Sequence, residues 1–123
     1  MNRYEIEQNM GNAREVIKKQ FGGNSVDKMM RSKISAFGAM VLMSGVRPTI
    51  CYYMDNEPAI VDLVAAMYEY REPGIKGHFF NAITKKIEQE GKRDLVTENI
   101  LNDSVSLKLA FNLFELKEMP KKK

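Results

Sequence analysis

The sequence predicts an all-α fold, a single-domain bundle of about six or seven helices. Apolar residues recur at helical spacing along almost the whole chain, no segment sustains the apolar/polar alternation of a half-buried strand, and neither an Asn-Gly hairpin signal nor an internal repeat interrupts the pattern. No strand longer than a chance bridge is expected. A length of 123 residues is that of one domain, which buries roughly two-thirds of its extended surface on folding. Residues 1–123 are therefore read as one unit, with 120–123 as a frayed basic tail.

The first helix is expected from about Arg3 to Gln20. Asn2 and Glu5 are spaced like a capping box, and Ile6, Met10, Ala13, Ile17 and Phe21 form one stripe. Gly22-Gly23-Asn24 ends it. Ser25 is placed to cap a second helix to about Met43, with Val26, Met29, Met30, Ile34, Phe37, Met40 and Val41 inward and Lys28, Arg31 and Ser35 outward. Gly45 stops that helix, and Pro48 suits the first turn of a short third one ending near Met54. Asn56 and Pro58 open a fourth, to about Arg71, with a narrow polar strip of Asp62 and Glu69.

Pro73-Gly74 is the clearest break in the chain. After it, Phe79, Phe80, Ile83 and Ile87 form the inner face of a fifth helix, while Lys76, Lys85 and Lys86 lie outside. Asp94 can cap a short sixth helix through Leu101. Asp103 or Ser104 then caps the last, from about Val105 to Met119, whose apolar arc is wide enough to lie centrally. Phe37, Met40, Val64, Phe79, Ile83, Leu109 and Leu113 are expected to share one core.

Hydrophobic residues at 44% and charged residues at 28% match a soluble globular chain rather than a disordered or membrane-spanning one. Every long apolar run is broken before about 18 residues, and the N-terminus has neither a basic n-region nor an apolar h-region. A cytoplasmic protein is expected. The formal net charge of +3 is modest, but its distribution is uneven. Residues 25–54 carry Lys28, Arg31, Lys33 and Arg47 against Asp27; residues 75–93 carry Lys76, Lys85, Lys86, Lys92 and Arg93 against Glu88 and Glu90. The segments between and after them are acidic. A basic and an acidic face would give this pattern, as would ordinary variation among solvated helices.

Catalytic constellations are not found. The lone His78 has no motif around it, Asp55/Glu57 and Glu88/Glu90 stand two apart and diverge on a helix, and no phosphate loop, HExxH or EF-hand series occurs. One histidine and one cysteine make no zinc set. Cys51, in an apolar run, reads as a buried filler. No cofactor, metal or enzymatic activity is expected. Leu42-Met43-Ser44-Gly45-Val46-Arg47-Pro48-Thr49-Ile50 has the outline of a helix-turn-helix turn, in which Thr49, Tyr52 and Tyr53 would read bases. Val41 and Cys51, however, stand where a small and a branched aliphatic residue belong.

The run from Ser32 to Val46, followed by Thr49-Ile50-Cys51-Tyr52-Tyr53-Met54, resembles the small all-helical subunit of the type III-B CRISPR effector, the Cmr complex. In that family a basic helix start leads through small and apolar residues to a glycine turn and an apolar helix. The segment Ser106 to Lys117 is similar to the family's closing helix. Together these cover about a third of the chain. The departures are Ala36 or Phe37 where a proline is expected, Val46 for the turn leucine, and no tryptophan, with Phe114 as the last aromatic. The resemblance implies a non-catalytic subunit that stacks with copies of itself and with other subunits, lining the channel where guide RNA pairs with target RNA.

Such a subunit needs cations at phosphate spacing and no base-reading apparatus, because pairing reads the sequence. Lys28, Arg31, Lys33 and Arg47 are the candidates, with Lys18, Lys19, Lys85 and Lys86 as flanks. A helix-turn-helix regulator and a helical protein-interaction adaptor with merely solubilising charges are the rivals.

Overall fold

The computed structural model describes residues 2–118; the expected tail at 120–123 lies outside them. Six helices run in the order α1 (Arg3–Phe21), α2 (Met29–Ser44), α3 (Val46–Asn56), α4 (Pro58–Arg71), α5 (Phe79–Glu88) and α6 (Arg93–Ala110). Single 3-10 turns at Ile75–His78 and Phe111–Leu113 precede α5 and follow α6. The architecture is an all-α single bundle, as the periodicity predicts. One addition was not expected: β1 (Ser25–Asp27) and β2 (Glu115–Lys117) pair in parallel, Val26 opposite Leu116. Three residues a side exceed a chance bridge.

Local chemistry explains most boundaries. Asn2 Oδ1 accepts from the Glu5 amide at 3.1 Å, the first half of the expected capping box. The second half is missing, because the Glu5 carboxylate turns instead to Asn102 and Arg71. Gly22, with φ 75°, closes α1 in the left-handed conformation that its lack of a Cβ allows. Ser25 does not cap α2, since the pairing with β2 holds residues 25–27 extended. Asp27 Oδ1 accepts the Met29 amide at 3.0 Å instead, and the helix begins three residues later than expected, with Lys28 in place of Ser25 at the N-cap.

α6 occupies the centre and packs against α1, α2, α4 and α5. It is one continuous helix, which corrects the expected break before Val105. Asp103 and Ser104, read as caps, are buried within it. Ser104 Oγ donates to the Ile100 carbonyl at 2.8 Å and Ser106 Oγ to Asn102 at 2.9 Å, so both hydroxyls are satisfied without ending the helix. Its buried stripe includes Val96, Ile100, Asp103, Leu107 and Ala110, at spacings of four and three. Leu109 therefore falls on the outer side. With the chain leaving the helix after Ala110, Leu113 is exposed too, and neither belongs to the core.

Phe37, Val64, Phe79 and Ile83 are core residues as expected, and Met40 packs at its edge. Met29, placed inward by the sequence, is half exposed. Phe37 meets Tyr53 edge-on, with ring centroids 5.2 Å apart. A polar network ties three elements together: Arg71 at the end of α4 holds Asp103 of α6 at 2.7 Å and pairs with Glu5 of α1. Asn102 adds bonds to Glu5 and to the Asn2 amide. Burial pushes the Asp103 carboxyl above its ordinary range, against the pull of the Arg71 guanidinium.

Candidate nucleic-acid interface

Lys28 occupies the N-cap position of α2, and its own amide donates to the Lys117 carbonyl at 2.9 Å. The β1–β2 pairing thus sets where this cation stands. Its ammonium meets Glu118 Oε1 at 2.6 Å, with both side chains about half exposed or more. Arg31, three residues on, shares the solvent side of α2 and is exposed. Lys108, in the last turn of α6, joins them: Lys28, Arg31 and Lys108 line one groove together with Ser32, Ser35, Ala36, Ala39 and Leu116. Lys108 is not among the candidate cations that the sequence points to. The α2–α6 packing that puts it here leaves no mark in the local pattern.

The other two leading candidates are not part of this groove. Two residues beyond Arg31, Lys33 projects roughly 200° further round the helix and pairs with Glu57 at 2.9 Å at the α3–α4 junction. Arg47, in the first turn of α3, is tied to Glu88 at the end of α5. Both cations link elements, so the four-residue cluster read from the sequence is divided into two places.

The flanking lysines also separate. Lys18 and Lys19 end α1, where cations favour the helix dipole. With Lys76 they line a second groove, in which Glu15, Asp62 and Glu69 supply as many negative charges and Tyr70 an exposed aromatic ring. Glu69 is held below the usual carboxylate range there, chiefly by the Gly74 amide and then by the Lys76 amide. Lys85 is exposed on α5. Lys86 is largely covered and bonded to Glu72, which raises its pKa.

The third helix does not stand out from the bundle. Val46, Thr49, Ile50 and Tyr53 are buried, so two of the three positions that would read bases face the core. Gly45 alone separates α2 from α3, where a helix-turn-helix uses three or four residues. The geometry does not carry that reading. Cys51 is exposed, contrary to expectation, because the turn at Gly45 rotates α3 so that Ile50 and Tyr53 face inward. His78 is exposed as well. Among the described residues no group of three or more His, Cys, Asp or Glu is placed to hold a metal ion, and no helix is long and apolar enough to cross a membrane. Comparison of the chain with protein-family models, with curated proteins and with solved structures found no match.

Proposed function

We propose that this chain is a non-catalytic small subunit of a ribonucleoprotein, of the type III-B CRISPR effector kind its sequence resembles, and that it meets RNA backbone along the groove bordered by Lys28, Arg31 and Lys108. The observation that carries the reading is the convergence of these three cations from two helices on one exposed surface. Long cationic side chains bordering serines suit phosphate oxygens, and the absence of a tryptophan or a ring of exposed aromatics beside them suits contact without base readout. Arg47 and Lys33, occupied by Glu88 and Glu57, hold the bundle together in this reading.

Three contacts on one subunit are few, so affinity in isolation is weak and assembly multiplies it. The test is made at both levels. Fluorescence anisotropy with labelled single-stranded and duplex RNA should show binding that weakens with salt and is indifferent to sequence. Replacing Lys28, Arg31 and Lys108 with Glu should lower the slope of log K against log salt by about two units or more, at roughly 0.7–0.9 per lost phosphate contact. Co-expression with the other effector subunits and guide RNA should recover this chain in the particle. An unchanged salt slope, or a particle assembled without the chain, would overturn the proposal. The adaptor reading has one observation in its favour, the charge-free exposed residues of α2 from Ser35 to Ser44.

A further inference from the structure

The end of α1 lies against the start of α4, fastened where Gln20 Nε2 donates to the Ala59 carbonyl at 2.9 Å. Along this seam runs the second groove, lined by Lys18 and Lys19 from α1, by Asp62, Ala66 and Tyr70 from α4, and by Lys76 from the turn before α5. Glu69 builds one end of it. Its carboxylate accepts two backbone amides, from Gly74 at Oε2 and from Lys76 at Oε1, the latter at 2.9 Å. These bonds fold residues 74–76 back onto α4, so Lys76 and Tyr70 share that end of the groove.

The charges here are less balanced than a count suggests. Glu69 is committed to the two amides, and Glu15 has Arg14 at 3.7 Å. Lys18, Lys19 and Lys76 are exposed, and among the described residues none of their ammonium groups is bonded to a carboxylate. Lys33, Arg47 and Lys86, by contrast, each hold one. Tyr70 is 55% exposed, and its ring packs against no other aromatic ring among the described residues. An open aromatic ring between unpaired cations suits single-stranded nucleic acid, because the ring takes the face of any base and the cations take the phosphates on either side. A duplex keeps its bases stacked inside and cannot use the ring.

We propose that this groove binds single-stranded RNA, with one base stacked on Tyr70 and the phosphates on either side of it held by Lys76 and by Lys18 and Lys19. Asp62, beside the α1 lysines, and Tyr70 stand eight residues apart on α4, about 12 Å of helix. The two groups of cations are thus separated by a length that a few nucleotides cover. The Asp62 carboxylate supplies an acceptor for a ribose hydroxyl. The inference rests on the reading of the chain as an RNA-contacting subunit and adds a second site to it. The Lys28 groove takes backbone of either form, whereas this one requires a strand whose bases are free.

The chain contains no tryptophan, so Tyr70→Trp installs a single indole at the stacking position. Titrating a short oligoadenylate to about 1 mM at low salt should quench its emission saturably, because one stacked base and a few phosphates support weak binding. Tripolyphosphate, polyglutamate and a blunt RNA duplex should leave it unquenched. Adding Lys18→Glu, Lys19→Glu and Lys76→Glu should weaken the response by about tenfold or more. Tyr52→Trp, on α3 and outside the groove, should not respond. Independently of any indole, Tyr70→Ala but not Tyr70→Phe should weaken binding of a labelled single strand by roughly fivefold or more, the loss of one stacked base. Both measurements are repeated in a Lys28→Glu, Arg31→Glu, Lys108→Glu background, where they should persist, so the two grooves are read separately. No quenching of Tyr70→Trp, equal quenching by polyglutamate or the duplex, or an equal response from Tyr52→Trp would overturn the proposal, whatever the salt slope at the Lys28 groove.

Discussion

Arg71 is the only cation in the acidic stretch from Asp55 to Gly74, and the end of α4 delivers it to two carboxylates from distant parts of the chain. Asp103 is 1% exposed, and an unpaired charge that deep is costly. Arg71→Met should therefore lower stability by about 3 kcal/mol, the low end for breaking a buried pair because the arginine keeps some solvent contact. The urea midpoint should fall at an unchanged m value. Arg71→Met with Asp103→Leu should recover much of that loss, since the deeply buried charge is gone and Glu5, the more exposed partner, keeps its bond from Asn102; a double variant no better than the single would show that the pair is not what matters. Residue type was readable throughout, but ion-pair partners were not. Lys28 and Arg31 were grouped correctly because three residues apart on one helix is local geometry. Lys33 and Arg47 were misgrouped because Glu57 and Glu88, which claim them, lie 24 and 41 positions away.

Elements were most legible where backbone chemistry is local. Pro58 and Pro73-Gly74 bracket α4, which runs from Pro58 to Arg71 as expected. The α2–α3 corner rests on Gly45, whose φ of 91° with ψ of 169° is a region closed to other residues. No atom outside its immediate neighbours crowds a Cβ there, the nearest being Pro48 Cδ at 3.9 Å. Gly45→Ala should then cost about 1–3 kcal/mol through backbone strain alone. Gly38, inside α2, makes the opposite prediction. A Cβ on it meets Ser104 Cβ at 3.9 Å, an ordinary contact, so Gly38→Ala should raise stability by up to about 1 kcal/mol. Thermal unfolding of the two variants checks both, and shifts of the same sign would contradict this account. The boundaries that failed, at Ser25 and Asp103, are those where a capping residue found a tertiary partner first.

At the scale of the whole molecule, α6 touches all five other helices while the β1–β2 ribbon is two short strands at the surface. Native-state hydrogen exchange should divide accordingly. Amides from Ile100 to Leu107 should open only with global unfolding, and those of Lys28 and Glu115, bonded across the ribbon ends, by local opening at much lower free energy. Ribbon amides as protected as those of α6 would mean that the ribbon belongs to the cooperative core. The sequence by itself determined the all-α class, the number of helices to within one, most of the core and the outward position of Lys28 and Arg31. Each depends on spacing along a few turns, where helix geometry leaves one answer. Tertiary structure alone decided the continuity of α6, the pairing of residues 25–27 with 115–117, the exposure of Leu109, Leu113 and Cys51, and which cations share a groove. Each of these is a contest between partners far apart in sequence. Its outcome is set by which surfaces the packed helices bring together, and no local pattern records that.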